Sequence, residues 1–257
     1  VIRTSKFQWT SDFNIGFNRN RVTELYGGKP ELKGLKRLEE GRDMDEWYLR
    51  EWAGVDPANG SPLWYTTDEN GKRTTTDSYN KADRVYCGSA APKFTGGWMN
   101  SFSYKGFTLT ANFDFVYGNL LYNQSRELLD SDGAYADYNS MKLKSGWKRW
   151  EKEGDIATHP KAINGGNKNS NKSSSRYLEK GNYFSLRNLS LGYSIPEKLC
   201  GKLGLQRVNV SCSADNLFTL TPFSGVSPQL SDSSTDGYAG TIYPLSRRIV
   251  FGLNVSF

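Results

Sequence analysis

Arg247-Arg248-Ile249-Val250-Phe251-Gly252-Leu253-Asn254-Val255-Ser256-Phe257 are the last eleven residues of the sequence, and their pattern decides how the rest is read. Ile249, Phe251, Leu253, Val255 and Phe257 fall on every second position, and the residues between them are small or polar except Val250. A period of two means a β-strand with one apolar and one wet face. Its length matches the roughly 9–11 residues that a tilted strand needs to cross the hydrocarbon core of a bilayer. The same alternation also suits a strand of a soluble sandwich, so this stretch alone leaves two architectures open.

Composition narrows the choice. Aromatic residues make up 14% of the 257, while the hydrophobic total is only 37% and the mean hydropathy is −0.65. There is no apolar run of about 18 residues, which excludes a transmembrane helix. A barrel tolerates a polar average, because only alternate strand residues face lipid and long loops dilute them further. The net charge of +6 is spread along the chain without a dense basic cluster, so no nucleic acid is expected as a partner. Cys87, Cys200 and Cys212 form no CxxC and are odd in number, which supports neither a disulfide framework nor zinc. His159, beside Pro160, reads as a loop residue. Asp130-Ser131-Asp132-Gly133 resembles the opening of a calcium loop, but the later ligands are missing and a polar turn is the expectation. With no nucleophile–base pair and no phosphate-cradling Gly loop, no catalysis, metal or cofactor is expected.

The alternation recurs. Phe7, Trp9, Phe13, Ile15 and Phe17 form one strand; shorter ones are expected at Glu46 to Gly54 and Ser61 to Thr66, around the turn Asp56-Pro57-Ala58-Asn59-Gly60. Phe94 to Tyr104 and Phe107 to Tyr117 flank Lys105-Gly106 as a hairpin. Further strands are expected from Tyr177 to Ile195 and from Val208, with the terminal one last, giving about eight in an antiparallel, all-β array. In the second arm of the hairpin Phe107, Leu109, Ala111, Phe113, Phe115 and Tyr117 share a face opposite Thr108, Thr110, Asn112 and Asp114. A charged side chain facing lipid near the midplane costs up to about 2–4 kcal/mol, acids less than bases, so the odd face is the lipid face. Within Leu120 to Ser175, Ser140 to Lys152 reads as a short helix. Long connections (18–45, 67–92, 118–176, 218–246) alternate with short ones (55–60, 105–106, 196–204), the asymmetry of outer-membrane barrels with long loops outside and short turns in the periplasm.

Several segments taken together resemble the C-terminal part of a SusC/RagA-type TonB-dependent transporter of Bacteroidetes. They include Pro92-Lys93-Phe94-Thr95-Gly96-Gly97, Tyr104-Lys105-Gly106-Phe107, Arg176-Tyr177-Leu178-Glu179-Lys180-Gly181-Asn182-Tyr183, Leu189-Ser190-Leu191-Gly192-Tyr193-Ser194-Ile195-Pro196 and Asp215-Asn216-Leu217-Phe218, followed by Tyr243-Pro244 and the terminal strand. At Ser227-Pro228-Gln229, where the family suggests Asp-Pro-Glu, the carboxylates are absent. The resemblance implies a plugged barrel of about 22 strands, of which residues 1–257 would be the C-terminal portion. The plug, the TonB-contacting N-terminal part and the earlier strands would lie elsewhere in the same transporter. Val1-Ile2-Arg3 carries neither a Met nor a signal core, which fits a piece of a longer exported protein. The implied function is TonB-dependent import of an oligomeric nutrient, glycan or peptide, across the cell outer membrane together with a SusD-like surface lipoprotein. The alternatives are a secreted β-sandwich carbohydrate-binding module and a stand-alone eight-stranded barrel.

For contact with cargo or lid, the long outer loops offer Tyr135, Tyr138, Trp147, Trp150 and Tyr238, whereas Trp9, Trp98, Tyr104 and Tyr117 are expected in the interfacial girdle. Phe251, Leu253, Val255 and Phe257 form the expected barrel-assembly signal, with outer-membrane lipid as their partner. Phe257→Ser in the full-length protein is therefore expected to lower outer-membrane assembly more than the stability of assembled protein; unchanged surface levels in cells would refute the signal.

Overall fold

The computed structural model describes residues 1–230, 237–240 and 242–257; residues 231–236 and 241, in the loop read as Pro222 to Ser246, lie outside them. Its frame is one antiparallel sheet of seven strands. Ile2–Arg3, Phe7–Gly16, Phe94–Tyr104, Phe107–Tyr117, Tyr183–Ser194, Arg207–Leu220 and Arg248–Ser256 follow one another in chain order across it. Each strand hydrogen-bonds to the next, as a membrane wall requires of its backbone. The hairpin at Lys105-Gly106 forms as expected: both residues have positive φ, 47° and 86°, the signature of a tight two-residue turn whose twist matches the flanking strands. A Cβ on Gly106 would come within 2.8 Å of the Ser194 carbonyl oxygen, so the next strand also requires glycine there.

Register places the side chains. Phe13 stands opposite Trp98, which stands opposite Phe113; Leu109 pairs with Leu191, Leu191 with Cys212 and Cys212 with Phe251. Residues directly opposite in a sheet share a face, so these rows form one continuous apolar surface, on which Phe251 is 80% and Leu253 70% exposed. No second sheet lies against that surface among the described residues, which removes the sandwich. The order of the sheet is linear, and the first and last strands do not pair with each other among the described residues, which removes the closed eight-stranded barrel. The opposite face carries Asp12, Asn112, Asp114, Asn188, Asp215 and Arg248, with Arg248 Nη2 2.7 Å from Asp215 Oδ2. This is the lumen wall, and the odd face of Phe107–Tyr117 is the lipid face as expected.

Two expectations about the wall change. The strands at Glu46–Arg50, Trp52–Val55 and Pro62–Thr67 exist, but they pair in separate small sheets rather than in the wall. At 4–6 residues they are too short to cross hydrocarbon, so residues 17–93 form one long outer loop and 55–60 is a turn within it. Long and short connections still alternate: 17–93, 105–106, 118–182, 195–206, 221–247. The expected strand Tyr177 to Ile195 breaks at Gly181-Asn182: Leu178–Lys180 pairs with Leu120–Asn123 above the wall, and the wall strand starts at Tyr183. In the girdle, Tyr104 and Tyr117 end their strands as expected, whereas Trp98 sits mid-strand. Its Nε1 donates to Ser11 Oγ at 2.9 Å and Trp9 Nε1 donates to Asn100 Oδ1 at 3.1 Å. Ser11 and Asn100 lie on the lipid face by register, and the indoles satisfy both polar groups where water is absent.

Phe113, on the lipid face between Trp98 and Phe184, and Asn112, beside it on the lumen face, test the assignment. Phe113→Lys in the full-length protein is expected to destabilise the assembled barrel by about 2–4 kcal/mol, and Asn112→Lys by less than about 1 kcal/mol. The check is urea titration of heat-modifiable gel mobility in liposomes; equal losses would reverse the faces.

Candidate functional site in the outer loops

The three long loops share one core. Trp47, Leu49 and Ala90 from the first loop pack with Tyr122 and Tyr177 from the second, and Tyr238 from the third packs against them. Trp47 and Tyr238 meet edge to face with centroids 5.1 Å apart, and Trp47 Nε1 donates to the Leu120 carbonyl at 3.0 Å. Large rings with one polar handle suit such a junction, because the ring is buried while the N–H or O–H is still satisfied. Tyr238 is accordingly an interior residue, its hydroxyl oxygen accepting from the Leu35 N–H at 3.2 Å.

A buried charge network fixes the second loop beside this core. Asp130 and Asp132, on a turn after the short helix Ser125–Leu129, are fully buried. Arg126 reaches Asp130 at 2.8 Å and Glu179 at 3.0 Å; Arg149 reaches Asp132 at 2.6 Å. Arg176 makes a two-armed contact with Asp132, and Ser170 Oγ donates to Asp132 at 2.7 Å. His159 Nε2 lies 3.0 Å from Asp130 Oδ2. The Arg126 guanidinium also stacks over Trp147 at 4.4 Å. Burying charge is costly unless it is paired and hydrogen-bonded; guanidinium groups and a hydroxyl hold both oxygens of Asp132, whereas Asp130 is hydrogen-bonded through Oδ2 and its Oδ1 has only the charges of Arg176 and Arg149, 3.4 and 3.8 Å away. The Asp130-Ser131-Asp132-Gly133 stretch is a turn as expected, with arginine partners from 126, 149 and 176. Glu179 extends the network to the third loop by accepting from the Ser224 N–H at 2.7 Å and its hydroxyl at 2.6 Å.

Among the expected contact residues, Tyr135 and Tyr138 lie 40% and 55% exposed with rings 5.4 Å apart. Trp147 is half-buried against His159, centroids 4.9 Å apart. Trp150 is buried, its Nε1 donating to the Pro57 carbonyl at 3.0 Å and its ring packed on Gly60, so it joins the first loop to the second. The helix expected over Ser140 to Lys152 is absent: that backbone is irregular, and Lys148, Trp150, Thr158 and His159 are linked by cross-chain hydrogen bonds. Sequence reading passed over Trp47, Tyr122, Arg126 and Arg176, whose only signal is a large or charged side chain inside a loop.

Burial alone would raise the Asp130 carboxyl, but the hydrogen bond with His159 and the charges of Arg176 and Arg126 outweigh it and hold the pKa down at about 2. A depressed carboxylate stabilises the fold fully above its ordinary value of 3.8, and that contribution is lost as pH falls toward about 2. Limited pepsin digestion of the full-length protein is expected to spare residues 118–182 at pH 4 and cut them at pH 2. Asp130→Asn strands the buried guanidinium groups at a cost of about 3–5 kcal/mol, so that variant should be cut at both pH values.

No family profile matches the chain. Over its whole length it is 28% identical to the TonB-dependent receptor P39 of Formosa agariphila, covering 29% of that protein. It is 28% identical to the TonB-dependent receptor P3 of the same organism, covering 27%. It superposes in full on 28% of a chain of the RagAB peptide importer in its closed-closed state, with TM-score 0.82 and 27% identity. The RagAB peptide transporter gives TM-score 0.83 and 26% identity, again over 28% of the matched chain. The chain thus spans less than a third of the length of the relatives it matches. In sequence and in fold alike it is an outer-membrane β-barrel segment that resembles the SusC/RagA type of TonB-dependent protein.

Proposed function

We propose that this chain supplies the C-terminal part of the wall, and the outer loops, of a transporter that imports an oligomeric nutrient across the outer membrane. The observation that carries this reading is a polar lumen wall continuous with three long loops gathered on one core, in a chain that superposes on the RagAB peptide importer. A wall of this kind encloses a path, and a roof with its own packed core holds a fixed shape over it. The remaining strands and the plug belong to other parts of the same protein, with TonB engaging its N-terminal part to energise uptake. The cargo is a glycan or a peptide; the solved relatives are named for peptides, which favours the second. The relatives are receptors and importers, so the role assigned to this chain is shape and binding without catalysis.

The partner is a SusD-like surface lipoprotein, which must dock on the outer loops whatever passes beneath it. Tyr135 and Tyr138 are the best anchors in this chain. Exposed tyrosines contribute large contact area at a low cost in side-chain freedom, and the neighbouring charge network holds their loop. Trp147, packed on Arg126 and His159, supports the charge network, while Trp150 and Tyr238 act from inside the loops. The outward row Phe251, Leu253, Val255 and Phe257 serves barrel assembly in lipid. Tyr135→Ala with Tyr138→Ala in the full-length transporter is expected to weaken co-purification of the lipoprotein by about tenfold or more, with heat-modifiable mobility unchanged. Trp150→Ala should instead increase protease cleavage of residues 118–182. If the double variant keeps both partner association and uptake of labelled peptides, the docking role of these tyrosines is wrong.

A further inference from the structure

The lipid face of the wall carries a groove of about 520 Å³ at its outer end, a volume within the range of about 300–1,000 Å³ usual for ligand clefts. Phe94, Phe115, Tyr117, Phe184 and Leu220 line it. Phe94 pairs with Tyr117, Phe115 with Phe184 and Phe184 with Leu220, so all five share the lipid face. Gly96, opposite Phe115, gives that ring room to lie along the wall: a Cβ there would come within 2.4 Å of Phe115 Cζ. Asn182 and Thr221 form a polar upper rim, and Asn182 Oδ1 accepts from the Gly118 N–H at 2.7 Å, which draws its side chain toward the neighbouring strand. The strands that carry the groove are the third to sixth of the seven. The remaining strands of the barrel join this sheet at its edges, so the groove faces lipid in the complete wall.

Directly above this aromatic row lies a cleft of about 680 Å³. It begins at Phe17, whose ring meets Phe94 with centroids 5.9 Å apart, and it carries Arg19 and Lys93. Both cations are exposed. The Lys93 N–H donates to the Tyr117 carbonyl at 2.9 Å. Its side chain runs over Gly118, where an added Cβ would come within 2.6 Å of Lys93 Cγ, so this lysine stands at the rim between cleft and groove. Asp43, also in the cleft, is engaged: it accepts from Ser89 Oγ and from the Asp45 N–H, each at 2.8 Å. Among the described residues no carboxylate pairs with Arg19 or Lys93. Unpaired cations at headgroup level over an apolar groove match the two halves of an anionic lipid. We propose that this is a site for a phosphorylated, acylated lipid of the outer leaflet, with its phosphate in the cleft on Arg19 and Lys93 and one acyl chain in the groove against Phe115 and Phe184. Within a bilayer a chain gains no hydrophobic energy by leaving its neighbours, which are equally apolar. The charges therefore supply the affinity and the groove supplies the position. The acyl anchor of a lipoprotein would fill the groove but leave both cations without a partner. The proposal rests on the lipid face of the wall and is independent of what the transporter carries.

The test is native mass spectrometry of the full-length transporter in detergent, titrated separately with monophosphoryl lipid A, with the same lipid stripped of its phosphate and with a triacylated cysteine peptide. Lipid A adducts are expected on the native protein. Their affinity should fall about fivefold in Arg19→Gln and in Lys93→Gln and about 25-fold in the double variant, the scale of surface cations facing an anionic lipid. Leu220→Trp, which narrows the groove and leaves both charges in place, should also weaken binding. Lys72→Gln removes the same charge from an exposed turn of the first loop outside the cleft and should change nothing. Heat-modifiable mobility should stay native in every variant, since the charges removed are exposed and unpaired. Equal binding of the phosphate-free lipid, adducts unchanged in the double variant, or an equal loss in Lys72→Gln each overturns the site. Tighter binding of the triacylated peptide, insensitive to the double variant, assigns the groove to a lipoprotein anchor and overturns the proposal as well. Displacement of lipid A by inorganic phosphate at matched ionic strength would reduce the cleft to a site for free phosphate and overturn the lipid.

Discussion

Hydrocarbon offers no partner for a backbone N–H or C=O, and this constraint organises the structure. Each strand that crosses must therefore be paired along its length, and the strands from Phe7 to Ser256 do this in chain order. Pairing fixes register, and register with a period of two assigns every side chain to lipid or lumen. Asn100 and Ser11 illustrate how strict the constraint is. Two polar groups on the lipid face draw the indole N–H groups of Trp9 and Trp98 to them, and Trp98 thereby leaves the headgroup zone where its ring would otherwise lie.

Above the membrane the rules are those of a soluble domain, and the loops obey them with aromatic rings and buried ion pairs. The charge network around Asp130 and Asp132 is not a large source of stability, since desolvation offsets much of the attraction in buried pairs. What it provides is uniqueness. Arg126, Arg149 and Arg176 come from separate parts of one loop, and their placement around both carboxylates fixes those parts relative to one another. Glu179 ties that arrangement to Ser224, so the second and third loops cannot shift independently.

The wall was legible in the sequence because alternation over ten or more residues has one reading, as in Phe107–Tyr117. A shorter pattern says strand but not which sheet, and the stretches Glu46 to Gly54 and Ser61 to Thr66 read as wall on that ambiguity, whereas the strands they contain pair outside it. Trp147 and Trp150, three apart, suggested a helix face, whereas the backbone between them is shaped by contacts with Thr158, His159 and Pro57. The roof was illegible for a related reason. Its core draws on Trp47, Tyr122, Tyr177 and Tyr238, which are separated by tens of residues of polar loop, and no local periodicity links them.

The shared core of the three loops has a consequence for the order of biogenesis. Trp47 and Tyr238 touch across 191 positions of chain, a contact of very high sequence separation, and such contacts form late because the closure entropy precedes any reward. Between them run four of the seven wall strands. The loops must therefore reach the cell exterior as open segments, one after another, and only the arrival of the last brings the rings together. On this side of the membrane the final act of folding takes place without ATP or cytoplasmic chaperones, and its timing is set by completion of the wall. The outer surface of the roof therefore exists only once the wall beneath it is complete.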